Sequence, residues 1–245
     1  MRAFLGAIQF LTIFPVSGKT AAPGRAALFF PVVGALLGAV GAGLYIALLE
    51  FLPSALAAVG VLVFWTILTG GLHEDALADV AGAFGAPRSR ERTLAILKEN
   101  RIGTFGGLAL LFSVLTRWQS LTAFSMLPRA ELVTALIASQ AVPRAAMVAL
   151  AWASRPVGTG LGFALCSTLS TPVAIAAMLE GAVAAFACGP QAGVILIAGA
   201  YLILRVLRGL FQSRIGGITG DCIGATNQLV EIFVLLLFTC RKCIV

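Results

Sequence analysis

The sequence predicts an all-α fold, a polytopic membrane bundle of about six to seven transmembrane helices with a helix at the membrane interface before them. Three observations predict it. Hydrophobic residues make up 60% of the 245 residues and charged residues only 11%, where a soluble domain carries roughly 25% charge. Mean hydropathy is +1.01, more than a single buried core absorbs at this length, whereas several bilayer-spanning helices of about 20 residues account for it. The apolar residues also fall in long runs bounded by charges and turn formers, at 27–49, 54–72, 105–127, 131–153, 172–188, 190–208 and 227–240. A formal charge of +7 without a solvated basic face argues against nucleic acid as a partner and leaves the lipid bilayer as the expected surroundings.

Residues 3–14 are too short to span and stop at Pro15, so they read as a helix lying on or dipping into the interface. A signal peptide is the alternative, weakened because no small-x-small cleavage site precedes Lys19. In the run at 27–49, Gly34, Gly38, Gly41 and Gly43 form small-residue faces for close helix packing; no strand precedes them, so they are not a nucleotide loop. If Arg2, Lys19 and Arg25 are cytoplasmic, parity places 73–101, 154–171 and 209–226 on the same side. That side and its helix ends then hold Arg2, Lys19, Arg25, Arg88, Arg90, Arg92, Lys98, Arg101, Arg155, Arg205, Arg208 and Arg214, against Arg129, Arg241 and Lys242 opposite. This is the asymmetry of the positive-inside rule. The five cysteines are widely spaced, and the Cys240/Cys243 pair has no second pair or nearby histidine to complete a zinc site. With no repeat and no linker, residues 1–245 read as one domain.

Acids are scarce, so their placement is informative. Glu74, Asp75 and Asp79 follow a span directly, and helical spacing puts Asp75 and Asp79 on one face. Two carboxylates one turn apart can share Mg²⁺, which takes one or two protein carboxylates together with substrate phosphates; the alternative is a solvated cluster offsetting Arg88, Arg90, Arg92 and Arg101. His73, the only histidine, adjoins them and can hydrogen-bond a phosphate, act as acid or base, or simply close a helix end. Glu99, Arg101 and Gly103 precede a glycine-rich span, where Arg101 and exposed amides suit a phosphate oxygen or an interfacial anchor. Residues 216–227 read as a flexible polar loop carrying Thr219, Gly220 and Asp221, with Asn227 and Glu231 one turn apart just inside the last span. Arg117 and Arg144 lie within spans, suited to anion contacts or to pairing between helices.

Four stretches in this order resemble the cobalamin synthase family, the adenosylcobinamide-GDP ribazoletransferases: Phe4 to Thr12 with Pro15-Val16, Gly70 to Asp79, Lys98 to Gly106, and Gly217 to Asp221 with Gly224, Ala225 and Glu231. The resemblance implies an integral inner-membrane enzyme of cobalamin biosynthesis, with its site on the cytoplasmic face. It joins adenosylcobinamide-GDP to α-ribazole, or its 5′-phosphate, and releases GMP. It further implies a Mg²⁺ cofactor held by Asp75, Asp79 and Asp221, with Glu74 and Glu231 in the catalytic set. His73, Glu99, Arg101, Gly103, Arg144, Thr219, Gly220 and Asn227 are then expected at the substrate, and association with other cobalamin-pathway enzymes is a further expectation.

The chain departs from the family pattern in having Ala76, Gly82 and Ala83 where the family usually has glycine, aspartate and glycine. That keeps a non-catalytic relative among the alternatives. A CDP-alcohol phosphotransferase also pairs aspartates on membrane helices, but its Asp-Gly and Ala-Arg pattern does not follow Asp79. A transporter should hold its polar site near the midplane between repeats, whereas these polar residues gather toward one face and no repeat is visible.

Overall fold

The computed structural model describes residues 1–99 and 101–240; Asn100 and the expected tail cations Arg241 and Lys242 lie outside them, as does Cys243. In chain order the helices are α1 (Arg2–Leu11), α2 (Pro23–Ala26), a 3-10 turn (Ala27–Phe29), α3 (Phe30–Leu49), α4 (Ser54–Thr69), α5 (Leu72–Phe84), α6 (Arg90–Ile96), α7 (Thr104–Phe124), α8 (Arg129–Ala153), α9 (Leu161–Thr168), α10 (Thr171–Phe186), α11 (Pro190–Ile215) and α12 (Gly220–Thr239). The described residues contain no strand; an isolated parallel bridge joins Pro156 to Ile218.

Four helices are long and apolar enough to cross a membrane unaided among the described residues: Pro23–Leu49 as one rod, α8, α11 and α12. Two bent pairs, α4 with α5 at 86° and α9 with α10 at 106°, raise the number to six. α7 has the length, at 21 residues, but Arg117 and Gln119 interrupt its apolar character. The outward faces carry exposed Val63, Ile67, Phe112, Val183, Leu202 and Val206, as a lipid-facing surface requires. The chain is therefore a multi-pass membrane protein of all-α architecture.

α8 forms the axis. Its main neighbours are α3, α10 and α12, and the small-residue face of α3 is what lets that helix approach. A Cβ on Gly34 would collide with the carbonyl of Gln140, and one on Gly38 with that of Leu136. Gly41 lies beneath the Trp65 ring, whose Nε1 donates to Leu37 O at 3.0 Å. Tyr45 Oη similarly donates to Leu121 O at 2.6 Å, so these large side chains bury their rings with their polar ends satisfied.

The core is two apolar clusters. One gathers Leu11, Phe30, Leu77, Met147, Leu165, Phe211 and Cys222; the other gathers Tyr45, Trp65, Phe124, Leu136, Val142, Val234 and Phe238. Along α8 and α12 the changeover falls at buried polar residues: Gln140 and Arg144 on α8, Asn227, Gln228 and Glu231 on α12, with Arg117 of α7 beside them.

Two segments differ from their sequence expectation. The stretch after 72, expected beyond the span on the cytoplasmic side with Asp75 and Asp79 at helical spacing, is a helix packed into the bundle. Gly70 and Gly71 adopt φ of 64° and 67°, a left-handed pair that ends α4 and turns the chain sharply into α5, which packs against α7 and α12. Side chains with a Cβ disfavour this conformation by roughly 1–2 kcal/mol per residue. A Cβ on Gly71 meets nothing closer than Thr66 Cγ2 at 4.0 Å, so Gly71→Ala isolates the backbone effect. We expect it to lower the free energy of unfolding by about that amount, read as a reduced melting temperature in detergent. The late polar segment is likewise not a loop through 227. α11 runs on to Ile215, Gly216 ends it at φ 75°, and α12 begins at Gly220 with Thr219 as its N-cap, the hydroxyl accepting from Cys222 N. That cap converts most of the expected loop into the first turns of a buried helix.

Two of the arginines after α5, Arg88 and Arg90, bond backbone carbonyls. Arg88 donates to the carbonyls of Gly82 and Ala83 at the end of α5, and Arg90 Nε donates to Ile215 O at 2.9 Å, fastening α6 to the end of α11. Ser89 caps α6; the backbone N–H of Glu91 itself, and after it the Ser89 hydroxyl, hold the fully exposed Glu91 below the usual carboxylate range.

Candidate active site

Where α1, α5, α6, α9 and the start of α12 meet, they enclose a cavity of about 740 Å³, within the size range of small-molecule sites. One wall is polar: His73 and Asp75 from α5, Thr219, Gly220 and Asp221 from α12, and Lys98 after α6. The apolar lining includes Phe10, Leu94, Leu97, Met147, Leu161 and Ile223. The segment 157–159 closes one side, held by Val157 N donating to Ile218 O at 2.8 Å and Ile218 N to Arg155 O at 2.9 Å. Gly162 sits directly against Gly220: a Cβ on Gly162 would come within 2.5 Å of Gly220 Cα, so α9 approaches α12 only without a side chain at this position.

Of the expected site residues, His73, Asp75, Thr219, Gly220 and Asp221 share this cavity. Asp79, one turn beyond Asp75, is half-buried and within electrostatic reach of both Asp75 and Asp221. None of these three aspartates takes part in an ion pair among the described residues; the ion pairs there are Arg92–Glu99, Arg117–Glu74, Arg117–Glu231 and Arg129–Glu50. The alternative of a cluster offsetting the nearby arginines therefore finds no contact to support it. Among the described residues, no three His, Cys, Asp or Glu side chains are gathered closely enough to hold a metal ion by themselves. The aspartates flank the cavity with oxygen donors without closing a ligand shell.

His73 is 2% exposed, and neither ring nitrogen has a hydrogen-bond partner in the protein. Buried polar atoms are rarely left so, and here both are themselves buried.

Other expected site residues lie elsewhere. Glu74 and Glu231 turn from the cavity to Arg117. Arg144, expected at the substrate, is 1% exposed and off the cavity wall: its Nη1 donates to Gln140 O at 3.0 Å and to Gln140 Oε1 at 2.6 Å, anchored to its own helix. Arg117 thus pairs between helices, whereas the hydrogen bonds of Arg144 stay within α8. Asn227 is fully buried with both amide atoms unpartnered, and it too is off the wall. Glu99 pairs with Arg92 at 3.2 Å on the surface, while Arg101 and Gly103 are exposed and do not line the cavity.

Lys98 and Phe10 reach the cavity without having been singled out. Both sit in the stretches that carry the family resemblance, which was the only signal for them; Phe10 arrives because Ile13 N donates to Leu68 O at 2.8 Å, drawing α1 against the end of α4. The departure at Ala76 is accommodated by its neighbour, since a Cβ on Gly224 would come within 2.5 Å of the Ala76 methyl. A Cβ at Gly82 would meet nothing within 4 Å, so a carboxylate fits there sterically.

The cobalamin-5-phosphate synthase family model matches residues 3–239, so the match takes in every element of the cavity. The chain belongs to this family. Relatives named adenosylcobinamide-GDP ribazoletransferase include one from Ralstonia pickettii, 35% identical over 96% of this chain and 93% of its own length. Another from Bradyrhizobium diazoefficiens is 40% identical over 94% and 90%, and one from Clostridium botulinum is 33% identical over 96% of both. No solved structure matches. As a cobalamin synthase the chain is an enzyme of the transferase class, which sets aside the transporter and CDP-alcohol alternatives.

Proposed function

We propose that this cobalamin synthase joins adenosylcobinamide-GDP to α-ribazole or its 5′-phosphate and releases GMP. The observation that carries the reading is that Asp75 and Asp221, from two of the family-like stretches far apart in sequence, line one cavity with His73.

The cavity suits the reacting ends of both substrates. Its apolar wall, with Phe10, Leu97 and Met147, fits the flat aromatic base of a nucleoside, and its polar wall fits a diphosphate and a sugar hydroxyl. Lys98 brings a cation to the phosphates, and His73 lies beside them on the lining. The hydroxyl oxygen of the ribazole attacks the phosphorus attached to the cobinamide. The new P–O bond forms as the bond to GMP breaks, the proton passes to a cavity carboxylate, and the electron pair leaves on the GMP phosphate. Asp75 and Asp221, with Asp79 beside them, would hold Mg²⁺ together with the diphosphate; an open pair of carboxylates suits an ion that retains waters and binds substrate phosphates. When bound, the ion offsets charge on the diphosphate and the departing phosphate.

The distribution of Lys and Arg supports placing the cavity on the cytoplasmic face of the bacterial inner membrane. The test is GMP release from adenosylcobinamide-GDP and α-ribazole by detergent-purified protein under Mg²⁺ titration. We expect release that rises with Mg²⁺ and stops on chelation. No release from folded protein, beside an active relative in the same detergent, would reject the transferase reading; release undiminished by chelation would reject the Mg²⁺ site.

A further inference from the structure

Glu74 precedes Asp75 on α5, and Glu231 follows Asp221 on α12, yet only the two aspartates of these four acids line the cavity. The glutamates converge on one guanidinium. Arg117 Nη1 of α7 donates to Glu74 Oε1 at 2.7 Å, and its Nη2 stands 2.9 Å from Glu231 Oε1. The side chains of Arg117 and Glu231 are each 3% exposed and that of Glu74 15%.

We propose that Arg117 is a positioning residue, a clasp between α5 and α12 that sets Asp75 and Asp221 against the same cavity. The proposal rests on the transferase reading above. Three features argue for it. α5 follows two consecutive left-handed glycines, a sharp turn across which the rigid rod of α4 does not continue, so its angle depends on what it packs against. The clasp joins the two cavity-lining helices at depth: Arg117 lies about 20 Å along α7 at about 1.5 Å per residue. Arginine also suits the task, because its planar fork presents separate nitrogens to two acceptors, whereas lysine presents one. The group is electrically viable in the bundle, since Arg144 lies within electrostatic reach of Glu231, Glu74 and Arg117, so two acids face two cations.

This assigns Glu74 and Glu231 a role different from the catalytic one expected from sequence, and amide substitution separates the two. A clasp needs an acceptor oxygen, which Gln retains; a general base needs an ionisable carboxylate, which Gln lacks. The experiment compares E231A, E231Q, E74Q and R117K with wild type for GMP release at saturating and limiting substrates, with melting temperature in detergent recorded for each. R117K and E231A should lose about 10²-fold in kcat, the scale of a misplacement of about 1 Å, with KM changed by less than about threefold, as expected when binding is left intact. E74Q should recover to within about tenfold of wild type, as the hydrogen bond from Arg117 Nη1 predicts when an acceptor oxygen is kept, and E231Q should do the same because it keeps an oxygen 2.9 Å from Arg117 Nη2.

If R117K does not fold, the E231A and E231Q pair decides. E231Q as inactive as E231A at an unchanged melting temperature overturns the clasp in favour of carboxylate chemistry, and so does R117K with the kcat of wild type. Absence of release from wild type itself rejects the transferase reading and takes the clasp with it, whereas an active wild type beside an undiminished R117K rejects the clasp alone.

Discussion

Asp75→Asn is expected to reduce GMP release by roughly 10²–10³-fold or more, the scale at which removal of a single group stabilising transition-state charge is felt. The substitution keeps size and shape and removes one negative charge. Because Asp75 is exposed to the cavity and holds no ion pair among the described residues, the fold has little to lose: stability should change by no more than a surface substitution does, about 0.5 kcal/mol, and the melting temperature should stay close to that of wild type. Asp221→Asn should have a comparable effect on rate. The double variant should fall little further than either single one, since groups acting on one diphosphate act as a unit. Release from Asp75→Asn at the wild-type rate, with the same Mg²⁺ dependence, would remove this carboxylate from the chemistry.

The second large effect is on folding. Gly38→Val, combined with Gly34→Val, is expected to prevent recovery of monodisperse protein. Each added side chain would enter the closest approach of α3 to α8, where even a Cβ on Gly34 comes within 2.8 Å of Arg144 Cδ and one on Gly38 within 2.7 Å of Ile137 Cα. Overpacking of a tight interior costs about 1–3 kcal/mol per site, so roughly 2–6 kcal/mol for the pair stands against a total stability of about 5–15 kcal/mol. Helices in lipid have no hydrophobic drive to restore the contact once the backbones are forced apart. Gly43→Val is the control: a Cβ there meets nothing within 4 Å, and size-exclusion profile and melting temperature should match wild type. A well-behaved double variant would show that α3 and α8 do not depend on this approach.

Both predictions bear on how far the chain could be read before its structure. The glycines of α3 were legible because a spacing of four on a helix is a local property. Asp75 and Asp79 were legible for the same reason, and Thr219, Gly220 and Asp221 because they stand together in one short stretch. The bent α4–α5 pair was not: it turns on the left-handed φ of Gly70 and Gly71, and a glycine pair in sequence is equally consistent with an open loop. The loop expected through residue 227 failed at the Thr219 cap, whose hydroxyl bond to Cys222 N begins α12 early and carries Asn227 into the interior. Glu74 and Glu231, expected in the catalytic set, and Arg144, expected at the substrate, were legible as costly charges in an apolar chain, but their partners were not: Arg117, which meets both glutamates, lies on another helix, and Arg144 bonds Gln140 on its own.

By itself, then, the sequence determined the class, the approximate spans and the family, since composition, hydropathy and ordered short motifs are written along one chain and the bilayer sets the helix length needed to cross it. Only the tertiary structure decided which acids meet the cavity and which meet Arg117. Neighbouring residues on α5 point to different sides at about 100° per residue, and whether a side finds a cavity or a guanidinium depends on the helix packed there, a contact between distant residues that no local pattern encodes.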